Sequence, residues 1–242
     1  MTTSQILITI IVSFVAACLQ RISGFGFALL ATPIMSIVMP VPVAVVAISF
    51  ISLPNGVLNW LQQGRHADRT QVRRIFIWCL AGMPIGLVAI RRIPDRPMRI
   101  VLGIVVAVAA GALASGWKIT RGGRQVDAAA GFLSGILATS TGTNGPPLVI
   151  GLQGQGVTPE RFRGTLAGIF VATGIVTLVL FAVNDLVTEA TLKLASVGIA
   201  PMLVGQFAGI RLLPRVRTEH FRHLVVALLF ASAATAIGNA LR

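Results

Sequence analysis

The chain has 242 residues, of which 55% are hydrophobic and only 11% are charged, and its mean hydropathy is +0.86. This composition excludes a soluble globular protein, because the charges cluster between long apolar stretches. The net charge of +13 fits loop arginines that orient membrane helices and meet anionic headgroups. Nucleic acid is not expected as a partner, since no basic face is interleaved with the aromatic side chains that single-strand binders use.

In chain order, apolar stretches predict an all-α, polytopic integral membrane protein that forms one transmembrane domain over residues 1–242. Six stretches approach the roughly 20 residues that a helix needs to cross a bilayer. They cover residues 43–61, 75–90, 100–117, 166–183, 194–210 and 224–237. Two further apolar segments, 4–38 and 126–153, are each interrupted by glycine-rich sequence.

The two interruptions are the most informative feature of the sequence. The first reads SGFGF at residues 23–27 and is followed by Pro33, and the second reads STGTNGPP at residues 140–147. A broken helix frees backbone groups that cost several kcal/mol in hydrocarbon unless protein or water satisfies them. Proline tolerates only a break or the first turn of a helix. Two breaks at matching places therefore predict the walls of one internal binding site, as in transporters with discontinuous helices.

Each break is expected to precede a half-helix, whose N-terminus carries unpaired N–H groups and a positive charge of about half a unit. Such a terminus binds anions without a charged side chain. Glycine lets a ligand approach the backbone, and hydroxyl or amide side chains add hydrogen bonds. The predicted site residues at the breaks are Ser23, Gly24, Gly26, Thr141, Gly142, Thr143, Asn144 and Gly145. The alternative is that these small residues only allow close helix packing.

Arg21 is the one charged side chain predicted inside a membrane span. A charge there costs from a few to more than ten kcal/mol and indicates function by default. An anionic substrate or backbone carbonyl groups would satisfy Arg21, so it joins the predicted substrate-binding residues. Alternatively, the first segment ends at Gln20 and Arg21 reaches the interface.

Neutral polar residues in the long segments indicate a pathway. Asn55 and Asn59 lie one helical turn apart, and Thr173 and Thr177 occupy the matching places in the second half. Gln206 is expected to face inward. Hydrogen bonds between helices would explain the same residues equally well.

Catalytic and metal chemistry is not expected. All seven carboxylates and all three histidines fall in predicted loops or at helix ends: Asp68, Asp95, Asp127, Glu160, Asp185, Glu189, Glu219, His66, His220 and His223. Proton relays and cation sites normally use acids or histidines within the membrane. Cys18 and Cys79 lack metal-ligand spacing. We therefore predict no enzyme, no metal and no cofactor.

The order of elements repeats, with one repeat over about residues 1–120 and the other over about 121–242. Each contains a broken hairpin and three long helices, although chance similarity between apolar stretches is the alternative. If each hairpin enters and leaves on one side, three crossings invert the second repeat. Most loop arginines then share one side, which the positive-inside rule makes cytoplasmic. Both termini are expected outside the cytoplasm.

The sequence at residues 23–33 and 131–147, together with Arg163-Gly164-Thr165, resembles the TauE/SafE family of sulfite exporters and anion permeases. The resemblance covers essentially the whole chain. It implies that an anion passes between the two broken hairpins. Carried over by position, the candidates are Gly24, Gly26, Gly142, Asn144 and Gly145. The family has denser glycine runs at both breaks, which here are interrupted by Phe25, Phe27, Thr143 and Asn144.

These observations predict a transporter of the cell inner membrane that moves a small anion, sulfite or an organosulfonate, by alternating access. Its partners would be that anion and the lipid bilayer, and a homodimer is left open. One alternative is an anion channel, which would show unsaturated flux. The other is a structural membrane protein, in which the interface between the breaks would be dry, without a cavity lined by Ser23, Thr141 and Asn144.

Overall fold

The computed structural model describes residues 2–23, 26–115, 123–153, 155–212 and 218–241. The described part of the chain is all helical, as predicted. Its α-helices are α1 Thr3–Ser23, α2 Phe27–Met35, α3 Val41–Gln63, α4 Arg69–Arg92, α5 Asp95–Ser115, α6 Arg124–Ser140, α7 Gly145–Gln153, α8 Pro159–Val183, α9 Glu189–Leu212 and α10 Thr218–Leu241. A 3₁₀ turn at Gly64–His66 follows α3.

Five helices in the described ranges are long and apolar enough to cross a membrane. They lie within Thr3–Gln20, Val41–His66, Arg69–Arg92, Pro159–Val183 and Glu189–Arg211. The short helices α2 and α7 have nine residues each, which gives a length of about 14 Å, or half the thickness of a bilayer's hydrocarbon. The chain is therefore a polytopic membrane protein with two short helices among its long ones.

Local sequence explains where the helices begin. Asp68 caps α4 by accepting a 3.1 Å hydrogen bond from the backbone N–H of Gln71, and Thr158 caps α8, with Pro159 in the first turn. Pro146 and Pro147 open α7 as expected, because a missing N–H costs nothing in a first turn. Pro33 departs from the prediction, since it lies inside α2, two residues before that helix ends.

Both broken segments are hairpins whose two ends meet. Near the start of α1, Gln5 Nε2 donates a 3.2 Å hydrogen bond to the carbonyl oxygen of Val38, just past α2. In the second hairpin, Gln155 Nε2, just past α7, donates a 3.0 Å hydrogen bond to Asp127 Oδ1 in the first turn of α6. Each hairpin therefore enters and leaves at the same end of the bundle.

The long arm of each hairpin packs on a helix from the other half of the chain. The most extensive contacts join α4 to α6 and α1 to α9, and α3 packs along α8. Backbones approach closely in the α4–α6 pair, because a Cβ added to Gly135 would lie 2.0 Å from the carbonyl oxygen of Cys79. Gly82, Gly86 and Gly205 likewise press against backbone atoms of a neighbouring helix, so these glycines serve close helix packing.

The buried apolar residues form two separate clusters. The larger one is centred on α2 and α3 and contains Leu29, Ile48 and Phe181. The smaller one joins α4, α7 and α8 through residues such as Cys79 and Leu148. Both clusters draw on the two halves of the chain, and α8 contributes to each of them, Phe181 to the larger and Leu166 to the smaller.

Candidate functional site

The two breaks touch each other. A Cβ added to Gly145 would lie 3.4 Å from the backbone nitrogen of Gly26, and one added to Gly26 would lie 3.9 Å from the Cα of Gly145. The start of α2 and the start of α7 therefore lie side by side, and a Cβ at either glycine would be in ordinary van der Waals contact with the other break. The expectation that the two broken hairpins converge is therefore met by these residues.

The second break is held in shape by its own residues. Gly142 has a φ of 71°, a left-handed conformation that glycine adopts without a steric penalty. Asn144 Nδ2 donates a 3.2 Å hydrogen bond to Thr173 Oγ1, near the middle of α8. Ser134 Oγ donates a 2.8 Å hydrogen bond to the carbonyl oxygen of Asn144. These bonds satisfy backbone and side-chain groups that the interrupted helix leaves free.

A cavity of about 80 Å³ lies where the breaks meet, between α3 and α8. Its volume is room for several water molecules or a small anion. The lining residues are Gln20, Gly26, Phe27, Ala28, Ser49, Ser52, Leu53, Gly56, Asn59, Gln63, Ala138, Gly142, Asn144, Arg163, Leu166, Ala167, Phe170, Gly174 and Thr177. The lining contains eight polar side chains, of which one is a cation and none is a carboxylate.

The first turn of α2 lines this cavity. Gly26, Phe27 and Ala28 line the cavity, and no side chain caps the helix at Gly26. The first N–H groups of a helix have no partner within it, so this terminus presents donors and a partial positive charge. The start of α7 presents fewer donors, because Pro146 and Pro147 have no N–H. The amide of Asn144 supplies a donor there.

Among the described residues, Arg163 is the charged residue that lines the cavity. It lies in the second turn of α8 and is half-buried, and neither an ion pair nor a hydrogen bond joins it to another described residue. The site prediction omitted Arg163, although the sequence marks it as part of the Arg-Gly-Thr motif. What the motif does not give is the direction of the side chain, which depends on how α8 packs against α3.

Thr32 adds an unsatisfied donor beside the second break. Its Oγ1 is fully buried and has no hydrogen-bond partner among the described residues. A Cβ added to Gly142 would lie 3.4 Å from this oxygen. An unpaired buried hydroxyl costs about 1–3 kcal/mol, so a ligand or water at this position would stabilise the site.

Three of the predicted pathway residues form a chain of hydrogen bonds along the cavity: Asn55, Asn59 and Gln206. Asn55 Nδ2 donates to Gln20 Oε1, and Asn59 Nδ2 donates to the carbonyl oxygen of Asn55 at 2.9 Å. Gln206, which is buried as expected, donates its Nε2 to Asn59 Oδ1 at 2.9 Å. Asn59 and Thr177 line the cavity, whereas Asn55 and Gln206 stand behind it. These residues thus form hydrogen bonds between helices, and two of them line the cavity; their role in a transport path stays a prediction.

Other predicted site residues lie off the cavity or outside the described part of the chain. Thr141 and Thr143 are buried and bond to each other, with 2.7 Å between their hydroxyl oxygens, and neither lines the cavity. The position of Gly24 and the side chains of Arg21 and Ser23 fall outside the described residues.

Among the described side chains one carboxylate is buried, and it lies in the first turn of α6, away from the cavity. Asp127 is 1% exposed and accepts hydrogen bonds from Arg74 Nε, Gln71 Nε2 and Gln155 Nε2 at 2.8–3.2 Å. Within the described ranges, no group of three or more metal-ligand side chains occurs. The chemistry that the cavity supports is therefore anion binding by N–H, hydroxyl, amide and guanidinium donors.

Comparison with known proteins identifies a matching family. A family model described as the sulfite exporter TauE/SafE matches residues 9–236 of the chain. No curated protein and no solved structure matches the chain.

Proposed function

Since the chain belongs to the TauE/SafE sulfite exporter family, we propose that it transports a small sulfur-containing anion, sulfite or an organosulfonate. The observation that supports this most is the cavity where the two breaks meet. It has an uncapped helix N-terminus, one arginine and no carboxylate in its lining. Each of these features favours negative charge.

Alternating access is the mechanism we propose. The cavity extends along α3 as far as Gln63 and along α8 as far as Arg163, at one end of the bundle. Towards the other end of α3, Val41 and residues 44–48 are buried in the larger apolar cluster. A site that reaches one end and is blocked at the other suits a carrier better than an open channel.

The boundary between the two apolar clusters is where such a movement would occur. Phe27 and Ala28 belong to the larger cluster and Leu166 to the smaller one, and all three line the cavity. Because the smaller cluster joins α4 of the first repeat (about residues 1–120) to α7 and α8 of the inverted second repeat (about 121–242), each moving unit would contain helices of both repeats, and their rocking would open the site to the other side. By the positive-inside rule, the Arg163 end would face the cytoplasm, and both termini would lie on the opposite side of an inner membrane.

Ligand binding tests the proposed site. The thermal unfolding midpoint of the purified protein would be compared in sulfite, sulfate, thiosulfate, sulfoacetate, acetate and chloride. A ligand at about 100 times its Kd stabilises the folded state by about 2.7 kcal/mol. We expect a sulfur oxyanion to raise the midpoint, and Asn144→Ala and Gly142→Leu to remove that rise.

Asn184→Ala serves as the matched control, because Asn184 lies past the end of α8 and bonds to Arg91 outside the cavity. It should keep the full response. The proposal fails if folded Asn144→Ala and Gly142→Leu variants both retain it, or if every anion stabilises the protein equally.

A further inference from the structure

A second cavity lies on the surface of the bundle, between the first turns of α4 and α6. It is a groove of about 500 Å³ lined by Thr70, Arg73, Arg74, Trp78 and Arg124, with Ile77 beside them. None of these residues lines the cavity between the breaks. The groove is therefore a separate feature, and anion transport gives it no role.

The groove has two positive charges that the described protein does not neutralise. Arg74 forms an ion pair with the buried Asp127. Arg73 and Arg124 are exposed, and no ion pair or hydrogen bond joins either of them to another described residue. Two free guanidinium groups around one concave surface fit a phosphate, which arginine binds through paired N–H donors.

An apolar face continues from the groove along the same two helices. Ile77 is 56% exposed, Trp78 is 45% exposed, and Leu133 of α6 is 51% exposed. In a membrane such side chains face acyl chains, and tryptophan prefers the level of the headgroups. Because Arg73 and Arg124 lie in the first two turns of their helices, the charges fall at headgroup depth.

We infer that this groove binds an anionic phospholipid. Its phosphate lies between Arg73 and Arg124, and an acyl chain follows Ile77 and Trp78. The uncompensated positive charge selects an anionic lipid over a zwitterionic one, whose ammonium group cancels the charge of its phosphate. The lipid would bind where α6, the long arm of the second hairpin, packs against α4.

Lipid titration tests this inference. Phosphatidylglycerol or phosphatidylcholine would be added to the full-length protein in detergent, and bound lipid counted by native mass spectrometry. Each arginine near an anionic surface contributes about fivefold in affinity, so the Arg73→Gln/Arg124→Gln double variant should bind phosphatidylglycerol about thirtyfold more weakly than the unaltered protein. Arg92→Gln/Arg211→Gln removes the same charge from exposed sites elsewhere and should leave the affinity unchanged.

Three outcomes would overturn the inference: equal binding of both lipids by the unaltered protein, equal losses in the two double variants, or displacement of bound phosphatidylglycerol by inorganic phosphate. The last would mean that the groove takes a soluble anion. The comparison of the two lipids needs no variant, so it remains decisive even if a double variant folds poorly.

Discussion

Arg161 and Arg163 stand two residues apart at the start of α8, but their guanidinium groups have different surroundings. Arg161 is half-exposed and forms an ion pair with Asp68. Arg163 turns into the cavity, where no carboxylate lines the walls. A partly buried cation favours a bound anion more strongly than an exposed, paired one does. Among the side chains that the structure describes, Arg163 therefore contributes most to the preference of the cavity for negative charge.

Arg163→Gln should weaken binding of the transported anion. A hydrogen bond to a charged group is worth about 1.5–3 kcal/mol, so Kd should rise by roughly thirtyfold, as measured by titration of the purified protein. Arg161→Gln removes the same charge two residues away, outside the cavity lining, and should change Kd less than about threefold. Equal effects of the two substitutions would mean that net charge, and not the cavity, sets affinity.

Gly142 is expected to resist replacement because of its backbone. An L-residue in the left-handed region costs about 1–2 kcal/mol, so Gly142→Ala should lower the unfolding midpoint. Gly111 provides the contrast, since it lies inside α5 and a Cβ there would meet nothing within 4 Å. Gly111→Ala should raise stability by about 0.5–1 kcal/mol. A Gly142→Ala variant as stable as the unaltered protein would contradict a left-handed conformation at this residue.

Asp68 should make stability depend on pH in the acid range. The backbone N–H of Gln71, and next the guanidinium of Arg161, hold the pKa of the Asp68 carboxyl below its usual range. A pKa that is lower in the folded chain means that this stabilisation is complete above the usual value of about 3.9 and is lost as pH falls through the folded value. Unfolding midpoints measured down to about pH 3 should decline less in Asp68→Asn.

The cap and the ion pair of Asp68 can be separated, because asparagine caps helices about as well as aspartate. At neutral pH, Asp68→Ala should cost about 1 kcal/mol and Asp68→Asn clearly less. Equal losses from the two substitutions would assign the effect to the ion pair with Arg161 and not to the cap.

Among the elements, the second hairpin has the firmest attachment. Its long arm α6 lies along α4 at backbone distance, and the carboxylate of Asp127 joins the start of α6 to Arg74 and Gln71 of α4. Gln155 ties the end of the hairpin to the same carboxylate. These contacts hold α4, α6 and the end of α7 together. The second break therefore keeps its position relative to α4.

Breaking this ion pair should be costly. Arg74→Gln leaves the buried carboxylate without its charged partner, and removal of one partner of a buried pair costs about 3–5 kcal/mol. Asp127→Asn combined with Arg74→Gln removes both charges and should recover part of that loss. The measurement is a double-mutant cycle of unfolding free energies in detergent. Additive losses would show that the pair contributes no coupling.

The sequence predicted the elements better than it predicted the side-chain directions. Glycine and proline act locally, so the breaks before α2 and α7 follow from the residues on either side of them. The inward direction of Arg163 follows from packing between α3 and α8, which are distant in the chain. Pro33 lies inside α2, two residues before the helix ends. The sequence pattern did not reveal where that end falls.

At the scale of the whole molecule, the long arm of each hairpin packs against a helix from the other half of the chain. α1 packs on α9, α6 packs on α4, and α3 lies against α8. The two apolar clusters are separated where the breaks meet, at the cavity. A movement of one hairpin would thus carry a helix of the other half with it, which is the kind of coupling that the proposed alternating access requires.

Uptake of labelled sulfite into proteoliposomes tests the central claim most directly. Gly26 has an ordinary extended backbone, with φ −59° and ψ 134°, so Gly26→Leu fills the cavity without strain at that residue. Gly111→Leu adds the same side chain at an open position in α5. We predict saturable uptake by the unaltered protein and by Gly111→Leu, and its loss in Gly26→Leu. Undiminished uptake by folded Gly26→Leu would contradict transport through this cavity.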